Sequence, residues 1–141
     1  MSKNLIFQCH FSDRPAKRVE ASKRCFETYA KLHGADYILS NERYWNTDIP
    51  EPLSWYFEKL RVIYDESLDI YDNILYTDSD VLVQNYVENI FDKKDYGGLA
   101  AWKPKNGYAR ITSLYKHHGI ETTWRGVNIF NSGVMLMSRE F

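Results

Sequence analysis

The sequence predicts an α/β fold in which helices flank a mainly parallel central sheet. Apolar runs of strand length alternate along the chain with segments whose apolar residues recur at helical spacing. The strand candidates are continuous apolar runs, which are typical of strands buried on both faces of a parallel sheet. With 141 residues, the chain has the length of one domain, so we expect a single domain over residues 1–141.

The first part of the chain predicts two strands and a helix between them. Residues 5–11 form an apolar run close to the N-terminus. Pro15 suits the first turn of a helix, because the N–H that proline lacks would have no partner there. Gly34 can end that helix in the left-handed conformation, and residues 37–39 form a short second strand. The buried face of the helix is predicted from positions at helical spacing, namely Val19, Ser22, Phe26 and Tyr29.

A second helix and a third strand are predicted next. Residues 41–53 contain two prolines and predict a loop, after which Ser54 can cap a helix by accepting a hydrogen bond from its first turn. Residues 74–77 are a continuous apolar run and predict a buried strand. The inner face of the second helix is predicted to be Leu60, Ile63, Tyr64 and Leu68.

The rest of the chain continues the alternation, and no internal repeat or low-complexity tract interrupts it. The predicted elements are an apolar run at 81–83, a short helix at 87–91, a strand at 99–102, a helix at 108–119, and strands at 127–130 and 134–137 hinged on Asn131, Ser132 and Gly133.

The charge balance and the apolar runs exclude several classes of protein. The chain has 18 basic and 19 acidic residues and a net charge of −1, and it carries no basic stripe, so we expect no nucleic-acid partner. No apolar run is long enough to span a membrane. The first residues lack the hydrophobic region of a signal peptide, so we expect a cytoplasmic protein. Cys9 and Cys25 show no metal-ligand spacing and are expected to be reduced thiols.

The chemistry of the sequence is concentrated at Asp78 and Asp80, the D-x-D motif. These aspartates follow the predicted strand 74–77, and open α/β sheets bind ligands at the carboxyl ends of their strands. In an extended backbone the two carboxylates would share one face and Ser79 would point away. Neighbouring carboxylates repel each other unless a cation or a shared proton intervenes. Oxygen ligands favour Mg²⁺ or Mn²⁺ over zinc, so the pair predicts half of a metal site that a phosphate-bearing ligand completes.

The same two aspartates could instead have a purely structural role as caps of a turn after a strand. A bare D-x-D pattern favours that structural role. The apolar runs on both sides of the motif, Ile-Leu-Tyr-Thr before it and Val-Leu-Val after it, favour the metal site.

The residues around the motif resemble a known enzyme family. The segment 71–83 resembles the D-x-D region of nucleotide-sugar glycosyltransferases of the GT-A fold, above all the glycogenin-like family 8. Upstream, Phe-Glu-Lys-Leu at 57–60 is similar to the family's helix with a lysine near the donor. Downstream, Phe-Asn-Ser-Gly-Val-Met at 130–135 looks like the family segment that lines the sugar pocket. The resemblance implies a single-domain, Rossmann-like GT-A fold and a metal-dependent glycosyltransferase.

The resemblance also implies a role for each matching position. Asp80 would bind the divalent ion, Mn²⁺ or Mg²⁺, most directly, and Asp78 would share the ion and approach the ribose. Lys59 would contact donor phosphate or sugar. The partners would be a nucleotide-sugar donor, first UDP-glucose or UDP-galactose, and a carbohydrate or other hydroxyl acceptor. The remaining donor-binding positions would be Phe11, Ser12 and Asp13 at the base, Thr77 and Ser79 beside the nucleotide, and Asn131, Ser132 and Gly133 at the transferred sugar.

The sequence departs from the family pattern after residues 131–133, the N-S-G segment. Beyond that segment the resembled family carries a further metal-ligating histidine and an acidic or amide residue near the reacting carbon, whereas this chain ends at Phe141. His117 and His118 precede the segment and do not correspond to that histidine. We therefore expect either a fragment or an unusually small domain, and the sequence identifies no catalytic residue.

Three other functions stay open. The D-x-D segment also fits the first motif of haloacid-dehalogenase-like phosphatases, in which Asp78 would be the nucleophile and Asp80 the general acid/base. That family usually carries the motif close to the N-terminus, whereas two predicted β-α units precede it here. A nucleotidyltransferase would be expected to have a glycine-rich phosphate loop near the N-terminus, which this sequence lacks. The third is a nucleotide-sugar-binding domain without catalytic activity.

Overall fold

Five strands form one sheet in the computed structural model of the chain, which describes residues 2–10, 16–45, 53–93, 99–102 and 131–138. The strands are β1 (Asn4–Cys9), β2 (Asp36–Ser40), β3 (Asn73–Asp78), β4 (Leu99–Trp102) and β5 (Asn131–Ser138). Their order across the sheet is β2-β1-β3-β5-β4. The predicted helix at 108–119 and the predicted strand at 127–130 lie outside the described residues.

Four of the described strands run in one direction, and β5 runs in the opposite direction. The first strand pairs in parallel with both β2 and β3, whereas β5 pairs antiparallel with both β3 and β4. The predicted α/β fold with a mostly parallel sheet is confirmed. The predicted hinge at the N-S-G segment is wrong, because β5 begins at Asn131 and continues through the segment to Ser138.

The helix α1 (Ala16–His33) matches its prediction in both its buried face and its end. Val19, Ser22, Phe26 and Tyr29 are all buried. Gly34 adopts a φ of 64°, which a residue without a Cβ adopts at little cost. The N–H of Ala35 donates to the carbonyl of Ala30 (2.9 Å) and closes the helix end.

Among the described helices, α1 included, none is long and apolar enough to cross a membrane.

The predicted second helix is divided, and its predicted inner face is confirmed at Leu68 but wrong at Ile63 and Tyr64. A 3₁₀ helix spans Leu53–Leu60, the one-turn helix α2 follows at Arg61–Tyr64, and a further 3₁₀ turn spans Glu66–Leu68. Ile63 and Tyr64 are 49% and 61% exposed, so they do not face the sheet. The prediction failed because two charged residues occupy buried positions and hide the apolar pattern. The buried positions are Ser54, Glu58, Val62, Asp65 and Leu68.

Two hydrophobic clusters cover the two faces of the sheet, and successive residues of each central strand alternate between them. The cluster under α1 contains Ile6, Phe26, Tyr29, Ala30, Leu75, Phe91 and Leu136. The cluster on the opposite face, the α2-side cluster, contains Leu5, Phe7, Cys9, Val62, Leu68, Tyr71, Ile74, Tyr76 and Met135.

The segment 81–93 contains little regular structure and is held by side chains of α1. The predicted short helix at 87–91 is reduced to one 3₁₀ turn, Ile90–Asp92. The hydroxyl of Tyr29 donates to the carbonyl of Glu88 (2.6 Å) and accepts from the N–H of Ile90 (2.8 Å). The thiol of Cys25 accepts from the N–H of Val83 (3.1 Å). Side chains of α1 therefore form hydrogen bonds with backbone groups of this segment, which a helix or a sheet would otherwise provide.

Asp65 caps the 3₁₀ turn Glu66–Leu68, and this role makes stability depend on pH. Its Oδ1 accepts from the N–H and the hydroxyl of Ser67 (3.1 and 2.6 Å), and its Oδ2 accepts from Nε and Nη2 of Arg61 (3.2 and 2.9 Å). Burial alone would raise the pKa of Asp65, but the hydrogen bonds from Ser67 and Arg61 outweigh it and lower the pKa. A carboxylate whose pKa is lowered by folding stabilises the fold at pH values above its pKa in the unfolded chain, which is about 3.9.

The Asp65→Asn variant is expected to be less stable than the wild type at pH 7, with a difference that shrinks as the pH falls through the lowered pKa. The wild-type carboxylate becomes protonated there and loses the advantage of its charge. Urea unfolding of both proteins at pH 7 and at pH 3 measures the difference. Glu66→Gln, at an exposed neighbouring position, controls for the loss of one negative charge, and an Asp65→Asn penalty of equal size at both pH values would contradict the prediction.

Candidate functional site

Residues from three parts of the sequence meet at one edge of the sheet. The parallel strands β1, β2 and β3 end there, at Cys9, Ser40 and Asp78. Because β5 is antiparallel, it begins at this edge, and its pairing with β3 reaches Thr77 opposite Val134. The register therefore places the start of β5, with the N-S-G segment, beside the D-x-D motif. We call this the carboxyl edge, which is where open α/β sheets bind ligands.

The D-x-D motif itself is a turn and not an extended segment. The strand β3 ends at Asp78, and the N–H of Val81 donates to the carbonyl of Asp78 (3.2 Å). Asp78 is half-buried and Asp80 is exposed. Ser79 is buried, and its Oγ has no hydrogen-bond partner within the described ranges. The prediction that both carboxylates lie on one face required an extended backbone through Asp80. The backbone is extended only as far as Asp78.

The side chain of Gln8 is hydrogen-bonded to the end of β3, a role that was not predicted from the sequence. It is fully buried, and its amide nitrogen lies within hydrogen-bonding distance of the hydroxyls of Ser22 (3.0 Å) and Thr77 (2.8 Å) and of the carbonyl of Asp78 (3.1 Å). Its Oε1 accepts from the hydroxyl of Tyr37 (2.6 Å). The sequence did contain a sign of this role, namely a single side-chain amide inside an apolar strand. Such an amide is buried only when it is hydrogen-bonded, so its position predicts a polar partner in the core.

The same network continues to the far side of the D-x-D turn. The hydroxyl of Ser22 donates to the carbonyl of Val81 (2.6 Å). Thr77, predicted to lie beside the nucleotide, is buried in this network on the α1 side of the sheet. It also lines an open, largely apolar cavity of about 380 Å³ between α1 and the segment 81–93. The two ends of the turn are thus attached to the core through Gln8 and Ser22.

Lys59 and Asp78 lie on the same side of the sheet, and Tyr76 contacts both. The hydroxyl of Tyr76 donates to Oδ1 of Asp78 (2.8 Å). The ammonium of Lys59 lies 5.8 Å from the centroid of the Tyr76 ring, which is within the range of a cation–π contact. The structure therefore brings together two of the residues that the sequence analysis predicted to bind the donor.

Two further charged residues near the carboxyl edge have structural roles that the sequence did not reveal. The carboxylate of Glu58 is buried and accepts from the backbone N–H groups of Tyr44 (3.0 Å) and Trp45 (3.2 Å), so it secures the loop after β2. Arg61 donates through Nη1 to the hydroxyl of Ser40 (2.7 Å), at the end of β2, as well as to Asp65. These contacts attach the loop and the strand end to the helical segment that carries Lys59.

Cys9 lies on β1 beside Asp78 on β3, and its thiol is held in the protonated form. Burial raises the pKa of Cys9 to about 12; the nearby Arg61 and Lys59 lower it, and Glu58 and Asp78 raise it, without reversing the effect of burial. A thiol must ionise before it reacts as a nucleophile. Cys9 is therefore a packing residue of the α2-side cluster and not a nucleophile of the site.

Native Cys9 is expected to resist thiol reagents. In a Cys25→Ser variant, where serine can still accept from the N–H of Val83, Cys9 is the remaining thiol. At pH 8 its reaction with an aromatic disulfide reagent should be about 1,000-fold slower in the native protein than in denaturant, because a pKa near 12 leaves so little thiolate. The two reaction rates are followed by absorbance, in native buffer and in denaturant. Comparable rates would contradict the assignment of Cys9 as a buried, protonated thiol.

The donor set of Asp78 and Asp80 fits a hard divalent ion. Both supply carboxylate oxygens, which suit Mg²⁺ or Mn²⁺, and the Asp78 carboxylate is already oriented by Tyr76. No group of three or more His, Cys, Asp or Glu side chains in the described ranges is arranged to hold a metal. Two carboxylates would leave the other ligand positions of such an ion to substrate phosphate and water.

The remaining predicted positions divide between those that the structure describes and those that it does not. Gly133 is half-buried in β5, beside the end of β3. Asn131 and Ser132 are the first two residues of β5, and Asn131 pairs with Trp102 of β4. The expected base-contacting residues, Phe11, Ser12 and Asp13, lie outside the described residues.

Comparison with known proteins supports the fold. Neither the family models nor the curated proteins give a match. Among solved structures, the chain is similar to a glycosyltransferase involved in the glycosylation of the major capsid of PBCV-1, with a TM-score of 0.62 and 18% sequence identity. The match covers 98% of this chain and 61% of that chain. At this identity the similarity shows the fold alone.

Proposed function

We propose that the chain binds a nucleotide sugar and transfers its sugar to an acceptor hydroxyl, with Mn²⁺ or Mg²⁺ held by Asp78 and Asp80. The observation that carries the proposal is the arrangement at the carboxyl edge. There, Asp78 and Lys59 share one side of the sheet, and β5 brings Gly133 beside the end of β3. The similarity to a solved glycosyltransferase fold supports the same function.

The chemistry of a nucleotide-sugar donor matches these groups. When the bond between sugar and phosphate breaks, negative charge develops on the departing diphosphate. A bound divalent ion would neutralise part of that charge. Lys59, whose ammonium already lies on this side of the sheet, would contact the same diphosphate or the sugar. Gly133 would let the sugar approach the backbone of β5 closely, because it has no Cβ.

The finer assignments rest on the sequence resemblance to GT-A glycosyltransferases of family 8. On that basis the donor is a UDP-sugar, with glucose and galactose as the first candidates, and the acceptor is a carbohydrate or another hydroxyl compound. The chain spans 61% of the length of the similar glycosyltransferase, so donor binding is the first property to test and transfer the second.

The test is incubation of the chain with a panel of nucleotide sugars and Mn²⁺, followed by assay of released nucleotide diphosphate. Binding of UDP with and without Mn²⁺ is measured in parallel by calorimetry. Mn²⁺-dependent UDP binding together with UDP release supports the proposal. Binding without release would favour a non-catalytic nucleotide-sugar-binding domain. Release of inorganic phosphate from a phosphomonoester would favour the phosphatase alternative, and a protein that ignores both UDP and Mn²⁺ would contradict the proposal.

A further inference from the structure

We infer that Tyr76 is a positioning residue of the site: its hydroxyl orients the Asp78 carboxylate toward the divalent ion, and its ring supports the Lys59 ammonium. The inference rests on the proposed function, because it assigns a role toward an ion and a diphosphate that the proposal places there. It adds a residue that the D-x-D pattern does not contain. Tyr76 touches neither ligand itself and acts through the two side chains that would.

The position of the Tyr76 hydroxyl is set by the core. The side chain is 3% exposed and belongs to the α2-side cluster, with Phe7 and Met135 among the members on neighbouring strands. A ring packed in this way has little freedom to move, because protein interiors are close-packed. The hydroxyl at its outer end therefore reaches Asp78 Oδ1 (2.8 Å) from a fixed direction.

The hydrogen bond has the right chemistry for a metal-ligating carboxylate. A tyrosine hydroxyl is protonated at neutral pH and donates, and a carboxylate offers about four acceptor positions. One of these is used by Tyr76, which leaves acceptor capacity for a cation. Carboxylates that bind metals are commonly held by such an outer hydrogen bond, which fixes the direction of the ligating oxygens. Asp78 would then lose little side-chain freedom when the ion binds.

The ring of Tyr76 has a second role on the same side of the sheet. The ammonium of Lys59 lies 5.8 Å from its centroid, and the negative face of an aromatic ring attracts a cation at that distance. Lys59 has a long side chain whose freedom is costly to restrict on binding. The contact reduces that freedom in advance. One buried side chain thus links the cation-binding and the phosphate-binding parts of the proposed site.

The chain provides a matched control in Tyr71. Its hydroxyl also donates to a carboxylate, Oδ2 of Asp36 (2.9 Å), and its ring belongs to the same α2-side cluster. Asp36 begins β2, at the edge of the sheet opposite the carboxyl edge. Tyr71→Phe therefore removes the same kind of hydrogen bond from the same core, away from the proposed site.

The experiment compares the wild type, Tyr76→Phe and Tyr71→Phe. Affinity for Mn²⁺ is measured at saturating UDP from the electron paramagnetic resonance signal of free Mn²⁺, and UDP affinity is measured in EDTA by calorimetry. We expect Tyr76→Phe to weaken Mn²⁺ binding by roughly 10-fold or more, as is typical for the loss of an outer-shell partner. Its metal-free UDP affinity should stay within about twofold of wild type, since phenylalanine keeps the ring beneath Lys59. Tyr71→Phe should leave both affinities unchanged.

Each other outcome counts against a stated part of the inference. Equal Mn²⁺ affinity in wild type and Tyr76→Phe would overturn the role of the hydroxyl while leaving the proposed function intact. Equal weakening in both variants would mean that any lost core hydrogen bond has this effect. A Tyr76→Phe protein that fails to fold, as judged by circular dichroism, would show that the hydroxyl serves the core. A wild type that binds neither Mn²⁺ nor UDP would overturn the proposed function, and the inference with it.

Discussion

The Asp80→Ala variant is expected to lose Mn²⁺-dependent UDP binding by about 100-fold or more and to fold normally. Loss of an outer-shell partner typically costs a metal site roughly 10–100-fold, so loss of a ligand should reach at least the upper end of that range. Stability should change little, by about 0.5 kcal/mol or less, because Asp80 is exposed in a turn. Removing one of two neighbouring carboxylates also relieves their repulsion, which offsets any lost contact.

Calorimetric titration with UDP, in Mn²⁺ and again in EDTA, measures this effect. Urea unfolding of the same samples checks the fold. Asp69→Ala is a suitable control, since Asp69 is an exposed aspartate in the turn region before β3, at the opposite edge of the sheet. If Asp80→Ala bound UDP and Mn²⁺ as tightly as the wild type, the assignment of the D-x-D motif to the metal would be wrong.

The Gln8→Leu variant is expected to lower the free energy of unfolding by about 2–4 kcal/mol. Leucine has a similar size but cannot replace the contacts with Tyr37, Thr77 and the carbonyl of Asp78. A buried polar group that loses its partner costs about 1–3 kcal/mol, and several groups are affected here. Because the D-x-D turn is attached to the core through this network, UDP binding in Mn²⁺ should weaken as well.

Urea unfolding at neutral pH measures the change, and an exposed position provides the comparison. Gln84→Leu makes the same substitution at an exposed glutamine and should change the free energy of unfolding by about 0.5 kcal/mol or less. An equally small effect of Gln8→Leu would show that the buried network contributes little to the fold.

Much of the fold could be predicted from periodicity. The continuous apolar runs located β1 and β3, and the helical spacing of Val19, Phe26 and Tyr29 located α1 and its buried face. Gly34 marked the helix end because the left-handed conformation favours glycine. Periodicity failed where charged residues are buried. Glu58 is buried because it accepts from the backbone N–H groups of Tyr44 and Trp45, which lie 14 and 13 positions earlier and outside any local pattern. Asp65 is buried with nearby partners, Arg61 and Ser67, but the spacing of apolar residues does not reveal such polar pairs.

The sequence alone determined which residue types are available at the candidate site, and tertiary structure decided how they are arranged. The D-x-D and N-S-G segments could be recognised as strings, yet their meeting depends on β5 running antiparallel to β3. The roles of Gln8 and Tyr76 depend on where side chains point in the folded sheet; Gln8 and Thr77 are 69 positions apart. Local patterns report how much apolar surface a segment can bury. They do not report which distant polar group will satisfy a buried one, because only the packed sheet brings those groups together.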